Sequence, residues 1–324
     1  MSEVSVSPAP LQTAVLFLVF NRPDTTKQVF EAIRQAKPPR LYVAADGARP
    51  SREGEAERVA QVRQIATAVD WPCELKILFR EKNLGCKMAV SGGIDWFFQN
   101  EDQGIILEDD CLPQPDFFIF CETLLNRYAL DERVWVVTGD NFQNGQRRGE
   151  ASYYFSRYNH VWGWASWRRA WSKRDMEIKF WPEWKESPRW KAFLPDQVER
   201  TYWSNIFDQI YRNQIDTWDY PWTASVWLHG GLTATPNVNL IKNIGFGADA
   251  THTSSATSPF AKMGVGKIGP ISKLPQMVRD IDADIFVFNH GFGGRWLRFP
   301  YSFIRLPGRI IGTLYRRLKR YASS

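Results

Sequence analysis

The stretch Gly104-Ile105-Ile106-Leu107-Glu108-Asp109-Asp110-Cys111-Leu112-Pro113-Gln114-Pro115-Asp116-Phe117-Phe118 decides the fold. Its first half is a short apolar run, as expected of a strand buried on both faces. That strand delivers three consecutive carboxylates at its carboxyl end. Unpaired, they would repel one another strongly at low dielectric, so a cation must share the site. Hard oxygen ligands favour Mg²⁺ or Mn²⁺, which bridge protein carboxylates and substrate phosphates. The competing reading is an acidic turn facing water. The position directly after a buried strand favours the cation site.

Working outward, the first 140 residues alternate strand and helix. Apolar runs at Ala14 to Phe20, Leu41 to Ala45, Leu75 to Phe79, Gly104 to Leu107 and Val134 to Thr138 read as strands. Helical stretches separate them, with Val29, Phe30 and Ile33 forming one apolar face. Such alternation predicts right-handed crossovers and an α/β fold: a Rossmann-like, mostly parallel central sheet flanked by helices. Ligands of these sheets lie beyond the carboxyl ends of the strands. The polar residues expected to converge there are Asn21-Arg22, Asp46-Gly47, Asn83, Glu108-Asp109-Asp110 and Asp140-Asn141.

From about Gly149 the texture changes to Trp, Tyr and Arg, densest in Trp162-Gly163-Trp164-Ala165-Ser166-Trp167-Arg168-Arg169-Ala170-Trp171. Residues 12–145 are therefore read as a ligand-binding half and residues 146–255 as an aromatic-rich half of the same domain. Residues 256–324 are read as a loop and a basic amphipathic C-terminal tail. Fifteen tryptophans suit stacking surfaces, although a core is their commoner place. Gly264 to Gly269 spells GxGxxG, but no strand precedes it and Pro270 follows, so the dinucleotide reading is rejected.

The net charge of +6 belongs to the tail. After Asp284 come eight basic residues and no acidic one, leaving 33 basic against 35 acidic residues elsewhere. The body is not basic, which argues against nucleic acid as a partner. From Arg295 to Arg320 the cations interleave with Trp296, Phe299, Ile310 and Ile311, a composition suited to an anionic membrane surface. The four cysteines have no metal-site or redox spacing and read as reduced thiols of a cytoplasmic protein, with peripheral attachment to the inner face of the membrane through the tail.

The run from Gly104 to Phe118 resembles the metal-binding strand of N-acetylglucosaminyltransferase I and related GT-A glycosyltransferases, where an EDD triplet precedes a Pro-Asp-Phe-Phe helix start. A looser resemblance covers about residues 14 to 255. It implies a GT-A fold and an inverting transfer from a nucleotide-diphosphate sugar, UDP-sugars favoured, to a glycan or glycolipid acceptor. Asp110 would ligate the divalent cation, Asp109 would lie near the ribose and Glu108 would support both. The nucleotide would meet Asn21, Arg22 and Asp46. Asn83-Leu84-Gly85-Cys86-Lys87 resembles an Asn-x-Gly element, and the following helix N-terminus with Lys87 suits a diphosphate.

Transfer also needs a base to deprotonate the acceptor hydroxyl. Asp219, in Trp218-Asp219-Tyr220-Pro221-Trp222, resembles the family's base-bearing segment, with Asp216 as competitor. His252 stands where many GT-A enzymes carry a late metal ligand, and an imidazole would tilt preference from Mg²⁺ toward Mn²⁺. His160, Trp162, Trp164 and Arg168 resemble the acceptor-side loop. Two other readings compete. A sugar-phosphate nucleotidyltransferase would carry a Gly-x-Gly-Thr-Arg loop where this chain has Asn21-Arg22-Pro23-Asp24. A non-catalytic, membrane-associated carbohydrate-binding protein would not need three carboxylates at a strand end.

Overall fold

The computed structural model describes residues 11–246, 263–272 and 276–300. Alternation along β1 (Val15–Val19) sends Val15, Phe17 and Val19 to one face and Leu16 and Leu18 to the other. Both faces are covered, which is why the strand reads as continuously apolar. One layer is aliphatic and phenylalanine-rich. Helices α1 (Pro23–Ala36) and α2 (Glu55–Ala66) supply Val29, Phe30, Ile33 and Val62 to it. The other layer is built largely from tryptophan.

Strands β2 (Arg40–Ala45), β3 (Glu74–Phe79) and β4 (Gln103–Glu108) join β1 in parallel. Helix α3 (Gly85–Asn100) links β3 to β4, and a short strand β5 (Cys111–Pro113) leads into α4 (Pro115–Arg127). Beyond β6 (Val134–Thr138), β7 (Tyr153–Ser156), β8 (Trp164–Trp167) and β9 (Leu232–Pro236) complete an eight-stranded sheet of order β3-β2-β1-β4-β8-β6-β9-β7. β8 runs antiparallel between β4 and β6, so the segments before and after residue 145 share one sheet. A final strand, β10 (Ile241–Asn243), pairs with β5 and sets Asn243 opposite Cys111, next to the carboxylate triplet.

The tryptophan-rich run is therefore partly a central strand. Trp164 and Ala165 are fully buried and Trp167 nearly so. Short helices α5 (Arg168–Trp171), α6 (Trp181–Glu186) and α7 (Pro188–Phe193) follow, then the longer α8 (Gln197–Tyr211) and α9 (Asp219–Leu228). Their rings, including Trp171, Trp181, Trp190, Trp203, Trp222 and Trp227, form the second core layer with α3. Trp164 lies within 6.1 Å, centroid to centroid, of Trp171, Trp218 and Trp222.

Helix α10 (Ile281–Phe286) continues into a wide turn through Gly291. Asp284 on it is buried, accepts from Ser156 Oγ at 2.6 Å and lies 3.2 Å from Arg279 Nε. Val287 and Phe288 are buried, and Arg298 reaches Asp196 at 2.9 Å. Arg279, Asp284, Val287, Phe288 and Arg298 thus pack this segment against the rest of the chain. The rest of the tail, and His252, lie outside the described residues. The segment 263–272 forms no helix, and Ile268 N–H donates to Asp116, in keeping with rejection of the dinucleotide motif. Among the described residues no helix is long and apolar enough to cross a membrane.

Candidate active site

Four parallel strands end at the same edge, and a cavity of about 530 Å³ opens there. Asn21, Arg22, Asp46, Asn83, Gly85, Glu108, Asp109, Asp110, Trp162 and Asp219 all line it. Helix crossovers on a parallel sheet leave the carboxyl edge open, so each polar residue just after a strand is delivered to it.

At the centre is the triplet. Asp109 accepts from the Phe20 backbone N–H at 3.0 Å, and Asp110 Oδ2 accepts from Arg22 Nη1 at 2.6 Å. Arg22 Nη1 also lies 4.0 Å from Asp109 Oδ1. Burial, then the charges of Asp110 and its neighbours, pushes the Glu108 and Asp109 carboxyls above the usual carboxylate range, with Arg22 opposing. One guanidinium faces three carboxylates. Gly245 passes so close that a Cβ there would fall 2.1 Å from Asp110 Oδ2; only glycine lets the chain lie over this carboxylate.

Among the described residues no group of three His, Cys, Asp or Glu side chains is disposed to hold a metal ion alone. The triplet nonetheless fits a divalent cation held as Mg²⁺ and Mn²⁺ are held on nucleotides, by one or two carboxylates plus substrate phosphates. The excess of buried carboxylate over guanidinium charge is the observation that supports the fit.

The expected nucleotide contacts divide. Asn21 Nδ2 donates to the buried Glu55 at 2.9 Å, and Glu55 in turn holds Arg49. Asp46 accepts from the backbone N–H groups of Gly47 and Leu84, each at 3.0 Å, while Asn83 Nδ2 donates to the Gly47 carbonyl at 2.8 Å. These two side chains tie the β2 and β3 loops together, so part of their polarity is spent on the scaffold. At the start of α3 the Lys87 N–H donates to Asp216 at 3.3 Å, and Lys87 is absent from the cavity wall. Asp46 and Asp216 therefore answer the helix start where a diphosphate was expected. Gly85, at φ 78°, makes room for Asp216, because a Cβ would lie 2.9 Å from its Oδ2.

Two cationic residues of the wall, Arg49 and Arg80, were not foreseen. Arg80 directly follows β3, and the rule that singled out Asn21, Asp46 and Glu108 would have found it. Arg49, three residues beyond Asp46, carried no such positional signal. Its guanidinium covers the Phe20 ring at 5.3 Å.

Asp219 begins α9 and lines the same cavity. Its Oδ1 accepts from the Thr217 hydroxyl and from the Tyr220 N–H, and Oδ2 has no hydrogen-bond partner among the described residues. Asp219 also lines a second, smaller cavity of about 210 Å³, shared with Val161, Trp162 and Tyr220. His160 is on that cavity's wall, with its ring 4.3 Å from that of Phe142; burial lowers its pKa to about 3.

Two expected acceptor residues are placed elsewhere. Trp164 is fully buried in the tryptophan layer. Arg168 follows β8, whose end pairs with the beginning of β4, so it lies at the opposite sheet edge and bonds Asp102 at 2.9 Å. The antiparallel insertion of β8 reverses the direction in which that run is read.

No protein-family pattern and no curated protein matches the sequence. Among solved structures the chain is similar to CMP:2-keto-3-deoxy-manno-octonic acid synthetase complexed with CTP, at 16% identity and TM-score 0.35 over 71% of this chain and 94% of that one. It is similar to the glycosyltransferase GlyE of Streptococcus pneumoniae TIGR4, at 12% identity and TM-score 0.31 over 68% of this chain and 44% of that one. It is also similar to HddC from Yersinia pseudotuberculosis, at 9% identity and TM-score 0.26 over 39% of this chain and 57% of that one. The chain thus spans about half the length of GlyE and of HddC. None of these likenesses carries a functional inference.

Proposed function

We propose that this protein is an inverting glycosyltransferase that moves a sugar from a nucleotide-diphosphate donor to an acceptor hydroxyl. One observation carries the reading: Asp219, the triplet Glu108-Asp109-Asp110 and three arginines line a single cavity. A carboxylate with one oxygen fixed and the other unengaged is suited to take a proton. Arg22, Arg49 and Arg80 supply positive charge for a diphosphate. Asp110, supported by Glu108 and Asp109, would hold a divalent cation, which neutralises charge on the leaving diphosphate when bound. Preference for Mn²⁺ over Mg²⁺ rests on His252.

Transfer then proceeds as follows. The acceptor hydroxyl gives its proton to Asp219 Oδ2 while its oxygen bonds to the anomeric carbon. The bond from that carbon to the diphosphate oxygen breaks, and the nucleoside diphosphate leaves with the electron pair. Thr217 and the Tyr220 N–H keep the base aimed. The arginines hold the leaving group. Attack and departure on opposite sides of the sugar give inversion.

The deciding experiment is calorimetry with uridine and guanosine diphosphates, with and without Mn²⁺, followed by donor hydrolysis across a panel of nucleotide sugars. Metal-dependent nucleotide binding lost in Asp110→Ala, with release of nucleoside diphosphate, supports the proposal. Release of pyrophosphate from a nucleoside triphosphate would instead identify a nucleotidyltransferase, and sugar binding without nucleotide a lectin. Attachment to an anionic membrane surface, which suits a glycolipid acceptor, is a separate proposal. It fails if truncation after Pro300 leaves membrane fractionation unchanged.

A further inference from the structure

The second cavity holds polar atoms that the fold does not use. Asp140 is fully buried on its wall: Oδ2 accepts from the Trp162 N–H at 2.9 Å, while Oδ1 has no hydrogen-bond partner among the described residues. Asn159, 5% exposed, has no partner for either Oδ1 or Nδ2 among the described residues. Buried polar groups are nearly always satisfied, and leaving them unpaired is costly. Two such side chains on one wall therefore point to a ligand that both donates and accepts hydrogen bonds.

The rest of the wall describes that ligand. Tyr158, Trp162, Trp203 and Phe292 line the cavity, and among the described residues no lysine or arginine does. Aromatic faces cover the C–H surface of a sugar ring, whereas a phosphate or carboxylate would find no countercharge. A volume near 210 Å³ suits a single ring rather than an extended chain. Asp219 is one of four residues this cavity shares with the main cavity, beside Val161, Trp162 and Tyr220, so a hydroxyl on the ring would meet the base.

We propose that this cavity binds one uncharged, hydroxyl-bearing sugar ring, the terminal unit of the acceptor, with Asp140 and Asn159 as its hydrogen-bonding residues. The assignment to the acceptor rests on the glycosyltransferase reading; the sugar site itself does not. Residues 287–292 form its outer wall through Val287, Gly291 and Phe292, so the C-terminal segment is part of the specificity pocket.

The test is titration of the full chain, with and without uridine diphosphate and Mn²⁺, using methyl hexosides, methyl hexuronides and hexose 6-phosphates. Tryptophan emission reports binding through Trp162 and Trp203. At least one neutral hexoside is expected to bind saturably, and Asn159→Ala to weaken it tenfold or more. Nucleotide affinity should stay within about twofold. The isosteric Asn159→Asp, which loses the donor, should weaken it as well and serves if the alanine variant does not fold. Preference for charged sugars, no saturable hexoside, or unchanged affinity in both variants overturns the proposal. Hexoside binding that depends on Asn159 without any nucleotide binding would keep the sugar site and sink the glycosyltransferase reading.

Discussion

Arg22 Nη1 lies 2.6 Å from Asp110 Oδ2 and 4.0 Å from Asp109 Oδ1, making it the cation nearest the carboxylate triplet among the described residues. The two residues come from different strand ends, 88 positions apart in the chain. Their pairing partly neutralises a site that otherwise concentrates negative charge. Arg22→Ala removes this countercharge and the donor to Asp110 together. Nucleotide-free protein is then expected to bind Mn²⁺ severalfold more tightly, while affinity for a nucleoside diphosphate falls about tenfold or more. Electron paramagnetic resonance of free Mn²⁺ and calorimetry measure the two effects.

Asp219→Asn keeps the contact to Thr217 in shape but removes the basic oxygen. The rate of transfer should drop roughly 10²- to 10⁴-fold, the range for loss of a positioned base. Donor affinity should change less than about twofold, because the substitution leaves the triplet and the three arginines in place. An equal loss in Asp216→Asn, with Asp219→Asn nearly active, would transfer the role to Asp216.

His160 gives a pH signature. Its folded pKa is lowered to about 3 by burial, while an unfolded histidine titrates near 6.5. The folded state therefore binds the proton less well than the unfolded state. The stabilisation from keeping this ring neutral is fully present above pH ~6.5 and is lost progressively as pH falls toward 3. The ring is partly exposed, so about 2 kcal/mol is the expected loss. Urea midpoints from pH 7 to pH 4 should show that slope in the native chain and a flatter one in His160→Phe.

Trp164 and Arg168 separate packing from chemistry. Trp164→Ala should cost about 3–5 kcal/mol, as for other fully buried aromatic rings, and lower the thermal midpoint sharply. Arg168→Ala removes an ion pair to Asp102, whose side chain is 91% exposed, and the hydrogen bond from its Nε to the Phe98 carbonyl, and should cost about 1–2 kcal/mol. Transfer activity should be unchanged in the latter. A selective loss of acceptor affinity in Arg168→Ala would return that residue to the site.

Much of the polar edge of the sheet was legible in the chain itself. Strand and helix periods are local properties, and a parallel sheet carries every strand-end residue to one side, so Asn21, Asp46 and Glu108-Asp109-Asp110 were readable together. Asp219 was visible as an acid in an aromatic setting. Arg80 obeyed the same rule as its neighbours and was passed over. Arg49 was not readable, since its approach depends on Glu55 folding beneath it.

The sequence by itself determined the alternating α/β framework and the carboxylates at its open edge, because hydrophobic periodicity and covalent order suffice for both. Tertiary structure alone decided the direction and neighbours of the tryptophan-rich strand, which put Trp164 into the core and Arg168 at the far edge. It also decided which charges the scaffold consumes: Asp46 and Asp216 close the start of α3, and Arg22 partners Asp110. Such pairings join residues far apart in the chain, and no local pattern encodes them. The strand-end carboxylates could be read from one stretch, but the counter-ion beside them and the second cavity that Asp219 also lines required the folded molecule.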